Sequence, residues 1–241
     1  MTVPLLQQIG HAEAQTTAEY RYERKFLVEA LHRDSLELLV RLHPALFSDL
    51  FHPRFVNNIY LDSVGHASYI ETMEGARDRT KIRVRWYGAL LGRIEQPVLE
   101  LKIKRGFLGR KESFPLPAFV LDEHFNADAM TRVFRSCDLP AHVAQHLRTL
   151  APTLLNRYLR TYHQSADKRF RITIDTGLEY YALYLLHNTF QHRVVDPVHS
   201  VLELKYEREH DDAARHISNY FPFRVTKSSK YVMGLATLNT W

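Results

Sequence analysis

Charged and apolar residues alternate strictly along the stretch from Thr80 to Arg105. The charged positions are Lys81, Arg83, Arg85, Glu100, Lys102 and Lys104, and the apolar positions between them include Ile82, Val84, Trp86, Leu99, Leu101 and Ile103. A period of two is typical of β-strands, and it places the charges of each strand on one face of a sheet. The stretch therefore predicts two successive strands, each with a basic face and an apolar face.

Other segments show the same kind of pattern. Strands are predicted at residues 20–28, 55–61, 110–116, 154–164, 169–175, 178–184 and 201–207. Arg24 breaks the alternation in the first of these, where it falls among apolar side chains. Apolar residues at helical spacing predict helices at 31–46, 66–75, 121–135, 141–150 and 211–220.

These elements predict an α+β fold. The helices must bury their apolar stripes, so we expect the apolar face of the sheet to pack against them and the charged face to line a lumen. About eight strands are predicted, and eight strands close to a width that holds a small ligand. We therefore expect a closed eight-stranded antiparallel β-barrel with helices packed outside. Residues 1–18 are predicted to be a tail, and 19–241 a single domain.

Composition narrows the class of partner. The chain of 241 residues carries a net charge of +5, which favours anionic partners over cationic ones. Its single cysteine, Cys137, excludes an internal disulfide and agrees with a reducing compartment. No apolar run reaches the length of a membrane span, so we expect a cytoplasmic protein with no transmembrane segment. A separate membrane partner is compatible with this expectation.

The basic face predicts a binding site for a polyanion. Cations crowded into a lumen repel one another, and a polyphosphate would relieve that repulsion through charge-assisted contacts. Glu23, Glu100 and Glu203 lie on the same basic faces. They either pair with neighbouring cations or bind Mg²⁺ or Mn²⁺ together with phosphate oxygens, and Glu203 is the best metal candidate of the three.

Several of these segments resemble the VTC domain, the polyphosphate-polymerase branch of the triphosphate tunnel metalloenzymes, which are relatives of the CYTH proteins. The segments that carry the resemblance are 21–26, 81–88, 99–102, Tyr158 with Arg160, 171–175, 202–205 and 227–231. They occur in the family's order from about residue 20 to the C-terminus. The order and strand placement of the motifs are more specific than any single motif.

The resemblance implies a tunnel that binds a triphosphate along its axis and transfers the γ-phosphate of ATP to polyphosphate, with Mn²⁺ or Mg²⁺ required. The implied phosphate-binding cations are Lys25, Arg83, Arg85, Lys102, Lys111, Arg160, Arg171, Lys227 and Lys230. Tyr158 and Ser229 would add hydrogen bonds, and Glu203 would hold the metal, with Glu23 and Glu100 as further candidates. The basic faces add Arg21, Lys81, Lys104 and Lys205 as substrate contacts. We expect the catalytic group to be Arg83, Arg85, Lys102, Arg171 and Lys230.

The first strand departs from the wider superfamily. A Glu-x-Glu-x-Lys signature is expected there, but Arg21 stands at the first Glu position. The change removes a metal carboxylate, which disfavours the hydrolytic CYTH branch. We expect polyphosphate synthesis from ATP. The alternatives are a tripolyphosphatase or nucleoside triphosphatase, and a non-catalytic module that binds polyphosphate or an inositol phosphate. Nucleic acid is not expected, because duplex binders carry their cations on an accessible outer stripe.

Overall fold

A large antiparallel sheet forms the body of the chain. The computed structural model describes residues 21–105 and 108–238. The predicted tail at 1–18 lies outside these ranges, as do residues 106 and 107. The strands are β1 Arg21–Glu29, β2 Ser48–Asp62, β3 Arg79–Tyr87, β4 Gly92–Ile94, β5 Val98–Arg105, β6 Leu108–Pro115, β7 Phe119–Leu121, β8 Ala151–Gln164, β9 Arg171–Ala182, β10 Arg193–Asp196 and β11 His199–Glu207. The helices are α1 Arg33–Arg41, α2 Ala67–Met73, α3 Ala127–Arg135, α4 Ala141–Leu147, α5 Asp211–Asn219 and α6 Lys230–Leu238.

The main sheet is curled. Its strand order is β1-β11-β9-β8-β2-β3-β5-β6, β10 pairs with β9, and β4 and β7 form a separate small sheet. β1 begins this order and β5 is next to its other end, yet Lys102 Nζ on β5 lies 3.1 Å from Glu23 Oε2 on β1. The charged faces of distant strands therefore meet across a concave surface.

The prediction of a closed barrel is wrong, although the antiparallel sheet and its eight-strand path are confirmed. β1 and β6 are edges that do not pair with each other. The physical reason is that the segment leading to α6 occupies the free edge of β1. Val225 forms a bridge with Phe26, and Thr226 N donates a hydrogen bond to the Lys25 carbonyl at 2.7 Å. Side chains, including Lys102 and Glu23, connect the two walls instead.

Helices cover the apolar face of the sheet, as the alternation predicts. One buried cluster joins Val84, Trp86 and Leu99 to helices α3 and α4. A second cluster joins Phe26 and Leu204 to α1 and α5. Arg24, which breaks the pattern of β1, lies on this side and forms an ion pair with Asp211 of α5 at 2.9 Å.

Helix α6 packs on the opposite, concave face. Tyr231 and Leu235 of α6 are buried there against Leu154 and Tyr180. A Cβ placed on Gly234 would lie 2.6 Å from side-chain carbons of both Leu154 and Tyr180, so glycine permits this close approach. Part of the predicted lumen is therefore filled by apolar side chains, and the charged residues line the remainder.

Several element boundaries differ from the predictions. β2 begins at Ser48 and passes through Pro53, where its pairing with β8 shifts register. β9 is one strand where two were predicted, and it continues through Gly177, whose φ is +59°. Helix α3 begins at Ala127, where the side chain of the preceding Asn126 accepts a hydrogen bond from the Ala129 backbone N–H. None of the helices in the described ranges has the length and apolar character needed to cross a bilayer.

Candidate functional site

A buried carboxylate, Asp175, is the shared partner of two cations on one side, or wall, of the concave face. Arg160 Nε and Nη2 donate to its two oxygens at 2.5 and 2.7 Å, which is a bidentate pair. Lys230 Nζ lies 2.5 Å from Asp175 Oδ2, and the same ammonium lies 4.8 Å from the ring centre of Tyr158. Lys230 reaches this wall because α6 begins there. Asp175 thus holds a cation from β8 and another from α6 in one place.

Glu203 lies beside this group on the neighbouring strand. Its oxygens lie near Lys25 Nζ at 3.2 Å, Lys205 Nζ at 3.4 Å, Arg160 Nη2 at 3.5 Å and Lys230 Nζ at 3.8 Å. Burial acts to raise the pKa of Glu203, but these positive charges hold it well below its ordinary value. Glu203 is therefore ionised and surrounded by cations.

Lys25 bridges two carboxylates. Its Nζ lies 2.9 Å from Glu23 Oε1 and 3.2 Å from Glu203 Oε1. Burial and the nearby Glu203 act to raise the pKa of Glu23, but the adjacent lysines lower it to about 2. Burial also opposes the charge on Lys25, yet Glu203 and Glu23 together raise the pKa of Lys25 above its usual range.

Glu100 is the shared partner of several cations on the opposite wall of the concave face. Arg83 Nη2 lies 2.7 Å from Glu100 Oε2, and Lys111 Nζ and Arg85 Nη1 lie 2.8 and 3.6 Å from Oε1. Arg85 Nε also donates to Asn58 Oδ1 at 3.1 Å. Three predicted cations, two from β3 and one from β6, therefore converge on one buried carboxylate of the strand between them, β5.

The predicted cations and carboxylates form one continuous surface, which we call the basic groove. Its charged residues are Glu23, Lys25, Lys81, Arg83, Arg85, Glu100, Lys102, Lys111, Arg160, Asp175, Glu203, Lys205 and Lys230, and Arg79, Lys104 and Lys227 lie at one end of it. Lys102 lies at the groove's edge with 62% of its side chain exposed. The cations outnumber the carboxylates, so the described part of the groove is positively charged.

Lys81 differs from the other buried lysines. Its Nζ donates to Ser229 Oγ at 3.0 Å, and within the described ranges no carboxylate pairs with it. Burial, followed by the positive charges of Lys25 and Arg79, lowers the pKa of Lys81 to about 7. An anion beside Lys81 would reverse this shift.

The remaining predicted cations lie at the ends and edges. Burial, then Arg79 and Lys227, lowers the pKa of Lys104. Lys227 and Arg171 are exposed, and the ion pairs found among the described residues include neither. Arg171 is the register partner of Lys205. Arg21 begins β1, but its side chain lies outside what the structure describes.

Sequence reasoning missed three groups that contribute to the groove. Asp175 ends the segment 171–175 that carries the resemblance, yet it is not among the predicted site residues. Asn58 and Asn156 form a fully buried pair, with Asn58 Nδ2 donating to Asn156 Oδ1 at 2.8 Å. The sequence contains a signal for this pair. Each asparagine interrupts an apolar stretch at a position that alternates in step with the charged residues, which places it on the same face of the sheet. Asn156 Nδ2 and Thr173 Oγ1 have no hydrogen-bond partner among the described residues.

The carboxylates of the groove differ in how well they would serve as metal ligands. Mg²⁺ and Mn²⁺ prefer hard oxygen donors, commonly one or two carboxylates with phosphate oxygens. Glu23 and Glu203 fit this donor set, because both contact the single ammonium of Lys25. Glu100 fits less well, because in the described ranges none of the cations that contact it also contacts a second carboxylate. Outside the groove, three residues whose side chains commonly bind metals lie close together. They are Glu207 and Glu209, which are exposed, and His210, which is partly buried.

Comparisons with known proteins agree with this architecture. A family model described as the VTC domain matches residues 20–239. A solved structure from Bacillus halodurans, assigned as an adenylate cyclase, is 12% identical with a TM-score of 0.50 over 89% of this chain and 97% of that chain. A Vibrio parahaemolyticus protein with the same assignment is 11% identical, with a TM-score of 0.49 over 90% and 99%.

A third solved structure comes from Hippeastrum. It is described as an adenylyl cyclase with a dominant triphosphatase activity, and it is 11% identical with a TM-score of 0.49 over 90% of this chain and 96% of that chain. At 12% identity, the likeness to the Bacillus halodurans structure concerns the fold alone. A comparison with curated proteins found no significant match.

Proposed function

The chain belongs to the VTC domain family, and from that premise we propose that it transfers the terminal phosphoryl group of ATP to a polyphosphate chain in the basic groove. The observation that carries the proposal is the charge imbalance of the groove. Lys81 and Lys104 have lowered pKa values and are crowded by other cations, without a carboxylate partner among the described residues. An extended anion with a charge at each phosphate matches cations spread along several strands.

The groove's own residues supply positioning and charge neutralisation. Phosphoryl transfer needs little covalent help from a protein, because charge on the equatorial oxygens is the main feature to be stabilised. Arg83 and Arg85 are held by Glu100, and Arg160 and Lys230 are held by Asp175. These cations are therefore fixed before the substrate binds. The terminal phosphate of the acceptor chain is the nucleophile.

Glu203 and Glu23 are the proposed ligands of Mn²⁺ or Mg²⁺. When bound, such an ion neutralises phosphate oxygens and lowers the charge that opposes attack. The single ammonium of Lys25 pairs with both carboxylates, so it would compete with an ion held between them. Binding is therefore expected to depend on phosphate oxygens that complete the coordination.

The test is incubation of the protein with ATP and Mn²⁺ while polyphosphate, ADP and free phosphate are measured together. Growth of polyphosphate with release of ADP supports the proposal. Free phosphate without chain growth assigns the groove to hydrolysis of triphosphates, and binding without turnover assigns it to a binding module. A parallel reaction with Mg²⁺ compares the two metals.

Two variants test the role of Glu203. Glu203→Gln retains the shape of the side chain and removes its charge, and we expect it to abolish turnover while much of the phosphate affinity survives. Glu203→Ala is the harsher comparison, because it also removes the side-chain oxygen that could still accept hydrogen bonds from the surrounding buried cations. Unchanged turnover in a folded Glu203→Gln protein would remove Glu203 from the chemistry.

A further inference from the structure

Three aromatic rings surround a guanidinium at one end of the groove. Arg54 Cζ lies 4.2 Å from the ring centre of Tyr87, 4.8 Å from that of Tyr162 and 5.7 Å from that of Phe51. Arg54 Nε donates a hydrogen bond to the Tyr162 hydroxyl oxygen at 3.0 Å. We call these four residues the aromatic rim.

The aromatic rim continues the basic groove. Tyr87 lies two residues beyond Arg85 on β3, so both side chains are on the same face of the sheet. Arg54 is the register partner of Arg160. The rim is therefore adjacent to the arginines of both walls.

The other end of the groove has a different chemistry. Arg79 and Lys104 are register partners at the start of β3, and Lys227 lies close enough to act on the pKa of Lys104. Tyr87 ends the same strand, and eight residue steps of about 3.3 Å separate the two ends by roughly 26 Å. The groove thus has an aromatic end and a cationic end.

A purely structural role explains only part of the rim. Pro53 interrupts the pairing of β2 with β8, and the contact between Arg54 and buried Tyr162 stabilises the interrupted segment. The rim also presents open aromatic surface, because Phe51 and Tyr87 are each 39% exposed beside that guanidinium. Exposed aromatic rings and a guanidinium plane are the surfaces on which a nucleobase stacks.

We propose that the aromatic rim binds the base of the nucleoside triphosphate whose phosphates lie in the basic groove. This inference rests on the proposed function and adds the orientation of the nucleotide. The base lies on Tyr87 and Phe51, the α-phosphate lies near Arg85 and Arg160, and the γ-phosphate points toward Lys81. The cationic end is then left for the acceptor chain, which has no base.

The test compares two ligands, ATP and inorganic tripolyphosphate, by calorimetric titration of the full chain. Tyr87→Ala and Phe51→Ala are each expected to weaken ATP binding about tenfold, the usual order of a lost base–aromatic stack, and to leave tripolyphosphate binding unchanged. Phe55→Ala is the matched control. Phe55 lies on the same strand as Arg54 with 38% exposure, but its ring contacts Arg157 on the opposite face of the sheet.

The possible results distinguish a failure of the rim proposal from a failure of the proposed function. Equal losses for both ligands, or no loss for either, would overturn the rim proposal while leaving the phosphate site intact. Absence of binding by both ligands to the unmodified protein would overturn the proposed function itself.

A measurement on the unmodified protein covers the case in which the rim variants fail to fold. ATP should bind more tightly than ribose 5-triphosphate, which has the same phosphates and sugar but no base. Equal affinity for these two ligands contradicts the rim proposal without any substitution.

Discussion

Two parts of the groove carry similar cations in different electrostatic settings. Around Asp175 and Glu203, each cation has a carboxylate within contact distance. We call this the paired region. The setting is different around Lys81, Lys104 and Lys227. Among the residues that the structure describes, no carboxylate pairs with these lysines. The pKa values of Lys81 and Lys104 are lowered. We call this the unpaired region.

The two regions make different contributions. Buried ion pairs cost desolvation and add little net stability, but breaking one leaves an uncompensated charge. The paired region therefore fixes the positions of its cations. The unpaired region has charges that no protein group neutralises within the described ranges, so we expect an incoming phosphate chain to interact most favourably there.

Asp175→Asn should produce the largest effect. The change leaves Arg160 and Lys230 buried beside a neutral amide, and we expect unfolding free energy to fall by about 3–5 kcal/mol. Denaturant unfolding measures the change. Asp212→Asn is the control, because the Asp212 side chain is 95% exposed and only distantly paired with Arg215. Recovery of much of the lost stability with tripolyphosphate would show that an anion can replace the carboxylate. A loss no larger than that of the control contradicts the role given to Asp175.

Gly234→Ala should produce the second-largest effect. The added methyl group would lie 2.6 Å from carbons of Leu154 and Tyr180, both fully buried, so α6 or its neighbours must shift. Overpacking of this kind costs about 1–3 kcal/mol. Thermal unfolding measures the loss. Because α6 carries Lys230 into the paired region, tripolyphosphate affinity should fall as well. Unchanged affinity would show that Lys230 tolerates movement of its helix.

Lys81→Met should remove a pH dependence. The pKa of Lys81 is about 7, so its charge is present at pH 6 and mostly lost at pH 8. In the unmodified protein this lysine therefore favours anion binding at the lower pH, whereas the ligand's own ionisation acts in the opposite direction. Subtracting the pH profile of Lys81→Met isolates the lysine, whose charged contact we expect to be worth about tenfold in affinity at pH 6. Identical profiles would exclude Lys81 from binding.

Lys227→Ala should have the smallest effect. Lys227 is exposed, and exposed ionic contacts contribute little because water and salt screen them. We expect tripolyphosphate affinity to fall about two- to threefold at low salt and the difference to vanish at high salt. Arg135→Ala removes one exposed charge from α3, on the apolar side of the sheet, and serves as the control. Equal effects would indicate general attraction by net charge instead of a contact at the cationic end.

The alternation of charged and apolar residues was enough to assign the two faces of the strands. Alternation is a local property, because neighbouring side chains of a strand point to opposite sides, and it correctly separated Arg83 and Arg85 from Val84 and Trp86. It also indicated that Arg24 lies on the apolar side, and the resemblance drawn from the ordered motifs agrees with the family match.

Which charges meet and how the sheet closes depend on the three-dimensional fold. Contacts such as Lys102 with Glu23, or Lys230 with Asp175, join residues far apart in the chain, and their distances depend on curl, register and the entry of α6. The open edge arises for the same reason. The strand pattern predicted a closed barrel, but Val225 and Thr226 pair with β1 and leave β6 without that partner. Local periodicity records the face of each side chain and carries no information about its partner across the sheet.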